Sequence, residues 1–312
     1  MALDKATRAF LKEMAESGAP PIHEGTPDQA RGLAAGLVEL FGDGPPMHLA
    51  EDHRIKGLDA EFDVRVLKPA ASPRGVFVYY HGGGWVLGSL DEFDTLGRRI
   101  AADTGCTVVL VDYRLAPEHP YPAAVNDAGA AVEWAAANRD TLASPNAPII
   151  LAGDSAGANL ATVTARRARD RQGPEIALQV LVYPVTDANL NRPSYLDPDN
   201  QLFLDRDGMI WFWDHYLPDK TRRNDPDASP LQAESLENLP PAVMIQARHD
   251  VLYDEGKAYA QRLKDAGVEV TVHEHDDQMH CFFNFVMLPG SLAAHEQICS
   301  AVKQCLESRL VE

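Results

Sequence analysis

The sequence predicts an α/β fold, with a mostly parallel sheet covered by helices on both faces. Three observations carry this expectation. Short, nearly continuous apolar runs recur at Val76–Tyr80, Thr107–Asp112, Pro148–Ala152, Ala177–Tyr183 and Ala242–Ala247. Runs of that kind suit strands buried on both faces, as in parallel sheets. Helical stretches alternate with them over some 250 residues, which is the pattern of strand–helix–strand units. A Gly-x-Ser-x-Gly turn also joins one run directly to one helix.

In chain order, Leu3–Ala15 has apolar residues at helical spacing, and Thr26-Pro27 caps a second expected helix over Asp28–Phe41. FGDGPP then breaks the chain. Glu61–Leu67 alternates like a half-buried strand. Helices are expected over Ala123–Arg139, Ala156–Arg171 and Asp254–Ala266, a last strand over Val268–His275, and a final helix over Ser291–Leu310. Residues 188–235 interrupt the alternation. They are rich in Asp, Asn, Pro and Arg and hold one amphipathic helix, Asp207–Leu217. Long insertions without regular structure are uncommon except as lids or binding elements. The expected organisation is therefore N-terminal helices over 1–45, a core over 46–187 and 236–312, and a covering insertion over 188–235.

Composition excludes several classes. The 312 residues are 45% hydrophobic, so the chain can build a large core. Basic residues number 28 against 46 acidic, a formal charge of −18. Nucleic acids and anionic membranes call for basic faces, so neither is an expected partner. No apolar run reaches the ~18 residues that span a bilayer. The N-terminal residues interleave charge with apolar side chains, unlike a signal peptide, and a cytoplasmic protein is expected. Cys106, Cys281, Cys299 and Cys305 show no C-x-x-C spacing, so neither a disulfide framework nor a zinc site is expected. There is no internal repeat.

Gly153-Asp-Ser-Ala-Gly157 follows the run Pro148–Ala152 and opens the helix at Ala156. The bare pattern is compatible with an ordinary glycine turn, but the strand before and the helix after point to a nucleophile. A serine on such a turn stands above the sheet near the positive end of a helix. His81-Gly-Gly-Gly-Trp85 follows the run Val76–Tyr80. Three glycines at a strand end can turn N–H groups toward one point, as a tetrahedral oxyanion requires, and the N–H of Ala156 is the expected second contributor. A phosphate-binding loop is the alternative, but no G-x-G-x-x-G and no Walker lysine accompany it. His81 is read as a loop brace.

A serine nucleophile needs a base, and the base needs an orienting acid. In this topology both follow the serine, acid first. Asp250 lies just past the run Ala242–Ala247, while Asp254 and Glu255 are expected to serve the first turn of the next helix. Four of the eleven histidines follow Asp250. His273 and His275 are expected on a solvent-facing edge strand and His295 within the last helix. His280, in the loop Asp276–Phe283, is free to reach the serine.

HGGGW (81–85), the run Asp112–Asp127, GDSAG (153–157), Tyr183-Pro184, Asp250–Gly256 and His280 together resemble the bacterial hormone-sensitive lipase family over roughly residues 60–310. The resemblance implies the α/β-hydrolase fold with a helical cap, built from the N-terminal segment and the insertion. It implies carboxylesterase activity on short or medium acyl esters, without a cofactor. Ser155 matches the nucleophile, Asp250 the acid and His280 the base. Gly83 and Gly84 match the oxyanion donors, joined by Ala156. Trp85, Tyr183, Trp211 and Phe212 are the expected substrate contacts. Leu3, Phe10, Leu11, Met14, Leu33, Leu37 and Leu40, with Trp211, Phe212, Trp213 and Tyr216, are expected to form an apolar roof over Ser155. Three positions depart from the family. Cys281 stands where Gly usually follows the histidine, Asp277 where Gly is typical three residues before it, and Val251 where Pro often follows the acid.

The expected activity is two-step acyl transfer from an ester, by a monomer or homodimer. An amidase, lactonase or acyltransferase could use the same triad. A ligand-binding protein on an inactive hydrolase fold is disfavoured by the presence of His280.

Overall fold

A computed structural model describes residues 2–309. Leu310, the expected end of the last helix, and the outermost residues Met1 and Glu312 of the expected units lie outside the described residues. The strands are β1 (Leu49–Lys56), β2 (Glu61–Lys68), β3 (Val76–Tyr80), β4 (Thr107–Asp112), β5 (Ile149–Asp154), β6 (Leu178–Val182), β7 (Ala242–His249) and β8 (Val270–Met279). They form one sheet in the order β1-β2-β4-β3-β5-β6-β7-β8. Only the β1–β2 and β2–β4 pairings are antiparallel.

The helices are α1 (Lys5–Glu16), α2 (Pro27–Ala35), α3 (Val38–Phe41), α4 (Leu90–Thr104), α5 (Ala123–Ala137), α6 (Arg139–Leu142), α7 (Ala156–Asp170), α8 (Pro193–Leu196), α9 (Arg206–Tyr216), α10 (Tyr253–Asp265) and α11 (Pro289–Ser308). None among the described residues is long and apolar enough to cross a membrane.

The apolar runs serve two cores at once. Along β3, Val76, Val78 and Tyr80 pack with Val125, Val132, Leu160 and Leu263 of α5, α7 and α10. Phe77 and Tyr79 point the other way, toward Leu96, Ile100, Ile298 and Val302 of α4 and α11. Side chains alternate across a strand, so a strand buried on both faces must be apolar at every position.

Several elements depart from the sequence reading. β1 is an edge strand, LAEDHRIK, with most side chains exposed, so no apolar period marks it. α4 has a capping signal, Ser89 with Glu92 three residues on, and the Ser89 hydroxyl accepts from the Glu92 N–H. The single helix expected over 28–41 is split at Gly36-Leu37 into α2 and α3; a glycine weakens helix at that point. β8 runs to Met279, four residues past its expected end, so His280 is the first residue beyond a strand rather than the middle of a long loop. Covering by α11 also overturns the solvent-facing reading of His275. Its ring is buried against Phe282, and its Nε2 lies 3.0 Å from Gln297 Oε1.

Insertion 188–235 carries α8 and α9. Asp254 and Glu255 lie in the first turn of α10, as expected, and also hold the insertion to the core. Asp254 accepts from the Ser194 N–H at 2.8 Å and Glu255 from the Tyr195 hydroxyl at 3.1 Å, and Glu255 also accepts from the N–H groups of Thr186 at 2.7 Å and Asp187 at 3.3 Å just before the insertion. Burial pushes the Glu255 carboxyl up to about 8.

Candidate active site

Strands β3, β5, β6, β7 and β8 run parallel, so the turns after them gather at one edge of the sheet, the usual location of ligand sites in such folds. After β5 the chain turns sharply into α7, and Ser155 takes φ 54° and ψ −118°. A non-glycine residue held there costs about 1–3 kcal/mol. Both glycines of the motif are required sterically: a Cβ on Gly153 would overlap the Gly157 backbone, and one on Gly157 would overlap the Tyr80 carbonyl. The Ser155 N–H donates to Val182 O at 2.8 Å, which ties the turn to β6.

Asp250 and His280 arrive from β7 and β8. His280 Nε2 lies 3.1 Å from Ser155 Oγ, and His280 Nδ1 lies 2.7 Å from Asp250 Oδ2. The other Asp250 oxygen accepts from the Leu252 N–H at 2.9 Å. The three residues are 5%, 1% and 3% exposed for Ser155, Asp250 and His280. Burial opposes charge on the His280 ring, but the Asp250 carboxylate and the adjacent Cys281 outweigh it and hold the imidazole pKa well above its ordinary range.

The glycine loop after β3 stands beside Ser155. Gly83 and Gly84 have φ +105° and +59°, conformations glycine adopts without strain. The Gly83 carbonyl accepts from the N–H groups of Val86 at 3.0 Å and Leu87 at 2.9 Å. Ala156 is the first residue of α7, where N–H groups have no intrahelical acceptor. His81 stacks between Tyr113 and Phe93 and its Nδ1 lies 2.7 Å from Gly82 O. Burial holds it neutral, with a pKa of about 4. It braces the loop, as the sequence implies.

The expected substrate contacts divide. Phe212 of α9 lies directly on Gly84, where any Cβ would overlap its ring. Tyr183, at φ 34°, sits with its ring 4.6 Å from that of His280. Trp211 is half-buried against His215. Trp85 does not fit the expectation. It is 0% exposed, stacked on Tyr216 at 4.0 Å and flanked by Trp213. A ring with no accessible surface joins the glycine loop to α9 and lines no open cavity. Leu3, Phe10, Leu11 and Leu37 pack with Met279, Phe285 and Leu288 beside Cys281, while Leu33 and Leu40 are 48% and 55% exposed and contribute to no roof.

Arg31 of α2 was not legible as a site residue. Its guanidinium donates to Val86 O and Ala116 O, both at 2.9 Å, and forks onto Glu118. These hydrogen bonds draw the Glu118 carboxyl down to about 2 and tie α2 to the glycine loop. No local pattern announces a contact between residues 55 and 87 positions apart.

The departures at the histidine turn have physical explanations. Asp277 is an ordinary residue of β8 whose carbonyl accepts from the Asp4 N–H at 3.1 Å. Cys281 takes φ +67°, the left-handed conformation that favours glycine. Cys281→Val is expected to destabilise the fold by about 1–3 kcal/mol, because a β-branched residue is strained there. Cys281→Gly should stay within about 1 kcal/mol of wild type, relief of strain offsetting lost packing. Urea unfolding of the two variants separates these outcomes; equal midpoints would refute the strained turn.

The family model for the alpha/beta hydrolase fold matches residues 77–284. The chain is 40% identical to Carboxylesterase NlhH of Mycobacterium tuberculosis over 85% of this chain and 86% of that protein. It is 33% identical to an arylesterase of Saccharolobus solfataricus over 90% of this chain and 92% of that one. A hyperthermophilic esterase from Pyrobaculum calidifontis superposes with a TM-score of 0.91 at 39% identity, covering 97% of this chain and 99% of the other. With the turn, the glycine loop and these likenesses together, the chain belongs to the α/β-hydrolase fold family, in its bacterial hormone-sensitive lipase-like branch.

Proposed function

We propose that this protein is a serine carboxylesterase that hydrolyses short- to medium-chain acyl esters through an acyl-enzyme intermediate. The observation that carries the reading is the unbroken chain from Ser155 Oγ to His280 Nε2 at 3.1 Å and from His280 Nδ1 to Asp250 at 2.7 Å. The esterase names of its relatives support the same substrate class.

In this mechanism His280 Nε2 takes the Ser155 proton as the serine oxygen attacks the ester carbonyl. Asp250 holds Nδ1–H and offsets the positive charge that forms on the ring. The N–H groups of Gly83, Gly84 and Ala156 receive the developing oxyanion. His280 then protonates the leaving alcohol, and water repeats the sequence to release the acid. Helices α1–α3 and insertion 188–235 act as the cap, with Phe212 over the glycine loop and Tyr183 beside the base as substrate contacts.

The pH dependence tests the base. The free enzyme must hold His280 neutral to accept a proton, and its pKa is raised. Thus kcat/KM on p-nitrophenyl esters should rise with pH through a midpoint above the ordinary imidazole value of about 6.5. A flat profile between pH 5 and 9 in folded protein would refute a histidine base. A matched amide should turn over far more slowly than its ester; faster amide turnover would move the reading to an amidase.

A further inference from the structure

Asp154, the residue before the serine, lies in the fully buried β5 run and is 0% exposed. Its Oδ1 accepts from the Gly82 N–H at 2.9 Å and the Tyr79 hydroxyl at 2.7 Å, and its Oδ2 accepts from the Asn284 amide at 2.8 Å. Asn284 Oδ1 in turn accepts from the Tyr183 hydroxyl at 3.1 Å. The Asn284 N–H closes the histidine turn on Cys281 O at 3.0 Å. One carboxylate and one amide thus join the glycine loop, the serine turn, the residue packed on His280, and the histidine turn.

This donor set fits an ionised carboxylate. A carboxylate only accepts, and each oxygen here meets donors. Burial raises the Asp154 carboxyl above its ordinary range, and the hydrogen bonds from Asn284, Tyr79 and Gly82 work against that rise and favour the charged form. The titratable groups facing Asp154 are Tyr79 from β3, Tyr113 after β4, Tyr183 after β6 and His280 after β8, with Cys281 acting on His280, Tyr79 and Tyr183. Burial raises the three tyrosines well above their ordinary range, so they stay neutral, and His81 is neutral too. Among the described residues, His280 is therefore the group facing Asp154 that becomes a cation during turnover.

We propose that Asp154 and Asn284 form a positioning pair for the reaction: Asn284 keeps the Asp154 carboxylate ionised, and that charge favours protonated His280 while the hydrogen bonds lock the glycine and histidine turns together. This rests on His280 being the base. Asp250 is then one of two carboxylates acting on the imidazolium, the second through space.

The test is the pH profile of kcat/KM for the purified full chain on p-nitrophenyl butyrate. The variants are Asp154→Asn, Asn284→Leu and the double variant. Loss of the charge, or of the donor that maintains it, lowers the His280 pKa. Each single variant should therefore move the acidic limb down by at least ~0.5 pH unit. The double should move it no further than Asp154→Asn, because both act through one charge. Loosened turns should also lower kcat about tenfold with KM nearly unchanged. A merely structural role would lower kcat without moving the limb. If Asn284→Leu does not fold, Asn284→Ser, too short to reach Asp154, takes its place. An unmoved limb in folded Asp154→Asn, or in the folded Asn284 variant, overturns the pair. A wild-type profile without an acidic limb overturns the base assignment instead, so the two failures are distinguishable.

Discussion

Ser155→Ala and His280→Ala are each expected to lower kcat by about four to six orders of magnitude, with the double variant little worse, because the two residues act as a unit. In the proposed mechanism Ser155 supplies the bond-forming oxygen, and His280 Nε2 lies 3.1 Å from it. Asp250→Asn should cost somewhat less, since it alters the partner at Nδ1 but leaves base and nucleophile in place. The residual rate should reflect the N–H groups of Gly83, Gly84 and Ala156. The readout is p-nitrophenyl ester turnover by protein shown to be folded. A folded His280→Ala variant with a tenth of the wild-type rate would mean that another group is the base.

Acyl chain length is expected to move kcat/KM almost as far. Each CH₂ buried beneath the cap adds about 0.8 kcal/mol, or roughly fourfold, until the pocket is full. Phe212 lies on Gly84, and Ser155 is only 5% exposed, so an acyl group at the serine is enclosed by protein. The maximum should fall at about four to eight carbons. Deleting residues 1–40 should cost both activity and solubility. It removes α1 and α2, uncovers Met279, Phe285 and Leu288 beside the histidine turn, and takes away the Arg31 contact to Val86. Rates climbing steadily to sixteen carbons, or a soluble truncated protein with the full-length profile, would refute the cap.

Much of this molecule is legible in the linear sequence because its signals are local. The G-x-S-x-G turn is steric: Gly153 and Gly157 must lack side chains for α7 to leave β5 against Tyr80. The buried strands read as apolar runs because each serves both cores. Chain order and strand ends then single out Asp250 and His280. Elements without an apolar period were not legible, such as the exposed edge strand β1, and so was the extension of β8 to Met279.

What only the tertiary structure decides are contacts between residues far apart in the chain. Trp85 reads as an aromatic beside an oxyanion loop, but α9 stacks Tyr216 on it and removes it from any open surface. Arg31 stands in no sequence motif, yet it holds the chain just past the glycines. The Asp154 carboxylate reads as the variable position of a motif, and its donors come from residues 79, 82 and 284. The sequence by itself determines the fold and the residues able to do the chemistry, because strand burial and turn sterics are written in neighbouring residues. It does not determine which side chains meet across the sheet edge, because hydrogen bonding and burial there depend on distances that only the assembled fold sets.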